Sequence, residues 1–118
     1  MRKIALAIFT AACLVATPGA AGIATAFGNT VLSRYPDGGW VKHWFSPDGT
    51  YTAQFSDGRR LTANWRVEGE RICLNNIRPN MLIPRYCTAM IDAEVGDTWH
   101  SRDPLGRRVQ NVLLAGRQ

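Results

Sequence analysis

Residues 40–66 read WVKHWFSPDGTYTAQFSDGRRLTANWR. Runs rich in aromatic and β-branched residues are separated here by Ser46-Pro47-Asp48-Gly49 and Ser56-Asp57-Gly58. Proline presets φ for the first corner of a type I turn, aspartate tolerates the second, and glycine supplies the left-handed residue that follows. The same signal stands upstream as Tyr35-Pro36-Asp37-Gly38, and Glu68-Gly69 follows downstream. Turns at this spacing between such runs mark antiparallel hairpins, not βαβ units.

Turn length fixes register, and register decides which side chains face inward. A three-residue loop pairs the residues that flank it. Pro47-Asp48-Gly49 then sets Phe45 opposite Tyr51, His43 opposite Ala53 and Val41 opposite Phe55. Ser56-Asp57-Gly58 sets Ala53 opposite Leu61 and Tyr51 opposite Ala63. A Glu68-Gly69 loop sets Trp65 opposite Ile72 and Ala63 opposite Leu74. The three turns agree on one apolar face: Val41, Phe45, Tyr51, Ala53, Phe55, Leu61, Ala63, Trp65, Ile72 and Leu74. Lys42, Thr50, Thr52, Gln54, Thr62, Asn64 and Arg66 take the other. Agreement between turn chemistry and hydrophobic pattern is strong evidence for a fold.

Further strands are expected at Asn29–Arg34, Arg85–Ile91, Thr98–Arg102 and Arg107–Leu114, with Asn76 to Pro84 as a loop. The fold class is therefore all-β, a small antiparallel up-and-down meander of about eight strands. Closure into a barrel is the economical arrangement, because it removes exposed edges, with a two-layer sandwich as the alternative.

The N-terminus is of another kind. Arg2 and Lys3 precede an uncharged run from Ile4 to Ala16, and small residues follow Pro18. This is the pattern of a secretory signal peptide, and the apolar run is too short for a membrane span. Cleavage is expected after Ala26, where Ala24-Thr25-Ala26 precedes the next pattern, with Ala21 as the alternative. Residues 1–26 are thus the leader and 27–118 a single all-β domain, exported to the periplasm or the extracellular medium. Removing Arg2 and Lys3 lowers the net charge from +5 to +3. The remaining cations are spread from Arg34 to Arg117 in no block longer than two, a solvated basic surface without the concentration of a nucleic-acid-binding element. Cys73 and Cys87 remain in an exported chain and are expected to form a disulfide.

No catalytic motif and no metal-ligand spacing stands out, and no cofactor is implied. His43 is an inward histidine without a nucleophile elbow or an orienting carboxylate. The turn aspartates are explained by turn formation. Trp40, Lys42 and Trp44 lie on the face away from the core, and two exposed tryptophans flanking a lysine form a candidate ligand- or partner-binding stripe.

Phe27-Gly28-Asn29-Thr30-Val31, Ser46-Pro47-Asp48-Gly49-Thr50-Tyr51, Trp65, Cys73, Cys87 and Val95-Gly96-Asp97-Thr98-Trp99 together resemble a group of small uncharacterised exported bacterial proteins. More distantly the chain is similar to lipocalin-like and avidin-like barrels. The resemblance implies export and no activity; the chain's own residues point to a non-enzymatic module that binds a small apolar ligand or an envelope partner. An inhibitor of periplasmic proteases or lysozyme is the alternative, with Asn75–Pro84 as its only candidate loop.

Overall fold

The computed structural model describes residues 22–80 and 83–118. Eight strands follow in order: β1 Thr30–Arg34, β2 Trp40–Phe45, β3 Thr50–Phe55, β4 Arg60–Glu68, β5 Arg71–Arg78, β6 Arg85–Ala89, β7 Thr98–Arg102 and β8 Arg108–Leu114. All pairings are antiparallel, and the sheet order is β6-β5-β4-β3-β2-β1-β8-β7. Because β1 pairs with both β2 and β8, the meander wraps into a nearly closed barrel with its seam between β6 and β7. The Tyr86 hydroxyl of β6 reaches across that seam to donate to the Arg102 carbonyl oxygen, at 2.7 Å.

Four of the connecting turns are built alike. Before each loop, one residue donates its backbone N–H to the carbonyl oxygen four positions on, Tyr35 to Gly39, Ser46 to Thr50, Phe55 to Arg59 and Asp103 to Arg107, and accepts from the glycine N–H three positions on. A left-handed glycine closes each loop, as at Gly49 (φ 92°) and Gly58 (φ 95°). The loop aspartates are used locally. Asp37, Asp48 and Asp57 each accept a bond from the backbone N–H two residues on.

The β2–β3 and β3–β4 registers are those the turns dictate, with Phe45 opposite Tyr51, His43 opposite Ala53 and Tyr51 opposite Ala63. At β4–β5 the expectation is corrected. The loop is Gly69-Glu70, so Trp65 pairs with Leu74 and Val67 with Ile72. A Glu-Gly loop of type I′ would force Glu68 to positive φ, whereas glycine as the first loop residue (φ 64°) bears that conformation alone. The shift is two residues, so the inward set is unchanged. Beyond it, Asn76 adopts φ 56° at a register irregularity between β4 and β5. This extra residue rephases the strand and turns Ile77 into the core, where it is 7% exposed. The strand therefore runs to Arg78, and the expected loop from Asn76 shrinks to residues 79–84, of which 81–82 lie outside the described residues.

Cys73 stands directly opposite Cys87 on the outer side of β5 and β6, with Cα atoms 4.0 Å apart, and the two form the disulfide. One barrel end is plugged by the chain before β1. A helical turn at residues 22–24 carries Ile23 inward, and Ile23 and Ala26 are each 1% exposed. The Phe27 ring packs on Trp65 with centroids 5.7 Å apart, and Ile91 and Ala93 complete the plug. Ile23 and Ala26 thus belong to the core, while residues 1–21 of the expected leader lie outside the described residues. Among the described residues no helix is long and apolar enough to cross a membrane.

Candidate functional site

Strands β3, β2, β1, β8 and β7 lie side by side, and their two faces differ sharply in chemistry. On the inner face the neighbouring side chains Tyr51, His43, Ser33, Asn111 and Ser101 connect five strands by hydrogen bonds. Asn111 Oδ1 accepts from the Ser33 hydroxyl at 2.6 Å. Ser33 has one proton, so it accepts from His43 Nε2–H at 2.9 Å. A neutral imidazole has a single N–H, which leaves Nδ1 to accept from the Tyr51 hydroxyl at 2.6 Å. Asn111 Nδ2 then donates to Ser101 Oγ at 3.0 Å. The chain has one direction of donation, from Tyr51 to Ser101, and it fixes the histidine tautomer. Desolvation pushes the imidazole pKa down from 6.5 to about 4 and pushes the Tyr51 hydroxyl well up. Both groups are therefore held neutral across the ordinary pH range. Around this chain the barrel is filled by apolar side chains, with Phe45 packed on Tyr51 and Trp65 at centroid distances of 5.1 and 6.3 Å.

At the barrel end opposite the plug, Asp103 accepts bonds from the Tyr35 hydroxyl at 3.0 Å and from Arg107 Nε at 3.0 Å. Its own burial opposes ionisation, but these bonds and the Arg107 backbone N–H hold its carboxyl below the usual range. Burial and the Asp103 carboxylate push the Tyr35 hydroxyl up to about 12. The group ties the β7–β8 turn to the end of β1.

The outer face holds the residues singled out from sequence. Trp40, Lys42 and Trp44 all point outward, but the expectation of an exposed stripe is corrected at Trp44, which is 7% exposed. The C-terminal segment covers it. Trp44 Nε1 donates to Thr30 Oγ1 at 2.9 Å, the same hydroxyl accepts from Gln118 N and donates to the Gly116 carbonyl, and the Arg117 guanidinium lies 4.2 Å from the indole centroid. Trp40 remains half-exposed, with Lys42 Nζ 5.0 Å from its ring centroid. A groove of about 520 Å³ runs beside them, lined by Leu32, Arg34, Gly38, Gly39, Trp40 and Lys42 together with Tyr35.

The register adds residues that sequence reasoning left scattered. Arg34 pairs with Trp40 on one side and Gln110 on the other, His100 stands opposite Gln110, and Arg102 stands opposite Arg108. Outward positions on these five strands carry Thr, Leu, Arg, Trp, Lys, Gln, His and Val, and no carboxylate. Among the described residues the salt bridges join Arg59 to Asp57, Arg66 and Arg85 to Glu68, and Arg107 to Asp103. Arg34, Lys42, Arg102 and Arg108 take part in none of them. The signal that could have found this face is the β1–β8 pairing, which no local turn encodes.

A second hollow lies at the other end, between residues 90–93 and 96–99, with Met90, Asp92, Asp97 and Trp99 in its lining. Asp97 is engaged there by the Glu94 backbone N–H. Comparison with protein-family models, with curated proteins and with solved structures returns no match.

Proposed function

We propose that this chain is an exported, non-enzymatic binding module that docks an envelope partner on the outer face around Trp40. The observation that carries this reading is the contrast between an interior occupied by its own side chains and a half-exposed tryptophan set in an open groove. Aromatic anchors flanked by cations are the residue types that dominate docking energetics. The apolar-ligand form of the reading has less support, because Phe45, Tyr51, Trp65 and the polar chain occupy the space a calyx would need. A general base must reach its substrate's proton and be oriented for it. His43 instead has both nitrogens engaged by Tyr51 and Ser33, and the group orienting it is a hydroxyl. Export also bears on the leader. The burial of Ile23 and Ala26 supports a cut after Ala21, which leaves the plug on the mature domain; the intact mass of the secreted protein tests it, with a chain beginning at Phe27 as the contrary result.

The docking reading is tested by capture from envelope extract on immobilised mature domain, wild type against Trp40→Ala. The expected outcome is a partner retained by the wild type and lost by the variant at unchanged melting temperature. Equal capture by both removes Trp40 from the site, and saturable uptake of an apolar fluorophore that quenches Trp65 would restore the interior-ligand form.

A further inference from the structure

We infer that the partner bound by this face is a linear, acidic glycan, a sugar polymer bearing regularly spaced carboxylate or phosphate groups. The inference rests on the docking reading above and names its ligand class. Lys42, Arg34 and Arg108 lie on successive strands β2, β1 and β8, each two residues further toward the β1–β2 turn end, and Arg102 completes the row beside Arg108 on β7. Strand spacing near 4.8 Å and a rise near 3.3 Å per residue put successive steps from Lys42 to Arg108 about 8 Å apart, and the whole diagonal at about 20 Å.

Four cations in this track exceed the domain's net charge of +3 beyond Arg2 and Lys3, so the rest of the surface is close to neutral. Arg102 and Arg108 are directly opposed across β7 and β8. Like charges so placed repel and destabilise a sheet. No protein carboxylate among the described residues forms a salt bridge with either one, and an anion between the two guanidinium groups would offset the repulsion. Arg34 and Arg108 are exposed, Arg102 keeps one guanidinium nitrogen on the Gly106 carbonyl at 2.9 Å, and the remaining donors face solvent.

Three features select a sugar polymer. The track runs across the outside of the barrel for about 20 Å, past an open groove that only Arg34 and Lys42 of the four cations line, so an extended chain can meet all four where a small anion cannot. The track is one cation wide, so it matches a linear charge array. Trp40 flanks it between Lys42 and Arg34 with a half-buried ring, and Gln110 and His100 flank it with hydrogen-bonding side chains. An apolar platform beside cations and hydrogen-bonding side chains is what a charged sugar requires. A bilayer would instead favour several exposed apolar side chains at one level, and Leu32 and Trp44 on this face are both buried.

The test is binding of the mature domain to polygalacturonate, with dextran as the neutral glycan, phosphatidylglycerol vesicles and a single-stranded oligonucleotide as rival anions. Polygalacturonate is expected to bind, dextran not, and affinity is expected to fall steeply with added salt. Arg102→Gln/Arg108→Gln is expected to weaken binding at least tenfold, and Trp40→Ala several-fold. Arg66→Gln/Arg71→Gln, on the opposite side of the barrel, is expected to change it less than twofold. Melting temperatures of all variants are compared, so that misfolding is separated from lost contact. Absence of polygalacturonate binding, equal weakening by both arginine pairs, or tighter binding of vesicles or oligonucleotide overturns the inference. If Trp40-dependent capture of an envelope protein survives any of these results, the glycan assignment fails alone and the docking reading stands.

Discussion

The inner and outer sides of β1, β2, β7 and β8 are built from the same strands and end in opposite electrostatic states. Inside, every polar group in the row from Tyr51 to Ser101 meets a partner within 3.0 Å, and the titratable members are held neutral. Outside, four cations meet no carboxylate among the described residues. Buried polar groups must be paired, because the desolvated alternative costs about 1–3 kcal/mol each. Exposed cations carry no such requirement, so their accumulation without counterions is free to answer to binding. The inner polar row thereby serves stability, and the outer one is the surface proposed for recognition.

The comparison breaks most visibly if His43 is removed. His43→Leu leaves the Tyr51 and Ser33 hydroxyls without their shared partner, and a loss of about 3–5 kcal/mol in unfolding free energy is expected by denaturant titration. Next comes pH. The folded state keeps the imidazole neutral down to about pH 4, while the unfolded chain takes up a proton near 6.5. Between those values the unfolded state binds more protons, so stability present above pH 6.5 is lost as pH falls toward 4, by about 3 kcal/mol in total. His43→Gln offers an amide donor to Ser33 and an acceptor to Tyr51 without titrating. The difference between its acid profile and that of the wild type isolates the effect, and parallel profiles contradict it. Tyr51→Phe removes only the donor to Nδ1 and is expected to cost about 1–3 kcal/mol by the same titration. The smallest effect on stability belongs to the outer face. Arg102→Gln relieves a like-charge pair and should leave the melting temperature unchanged or slightly raised, within about 0.5 kcal/mol.

Much of this architecture was legible in the sequence because it is written locally. Pro47-Asp48-Gly49 and Ser56-Asp57-Gly58 dictate pairing within a few residues of themselves, and Val41, Phe45, Tyr51 and Ala53 accordingly all face the core. The β4–β5 hairpin was misread by two positions because one glycine serves either corner of a two-residue loop, and only the strain on Glu68 separates the two. Asn76 hid the continuation of β5, since a bulge breaks the alternation by which strands are read. The site was less legible. The outward direction of Trp40 and Lys42 follows from the turns, but the cover over Trp44 comes from Gly116, Arg117 and Gln118, remote in sequence. The cationic track depends on β1 meeting β8, a non-local pairing that brings Arg34 beside Arg108 with no signature in either segment.

The division between a structural interior and a recognising exterior is tested most directly by the indole N–H resonances of the tryptophans during titration with polygalacturonate. Trp65 Nε1–H is bonded inside to the Ser46 carbonyl at 2.8 Å and Trp44 Nε1–H to Thr30, whereas Trp40 stands beside the track. The account predicts that the Trp40 resonance shifts in a saturable, salt-sensitive way while that of Trp65 stays in place. A shift of Trp65 with Trp40 unmoved would contradict it, and would return the binding site to the inside of the barrel.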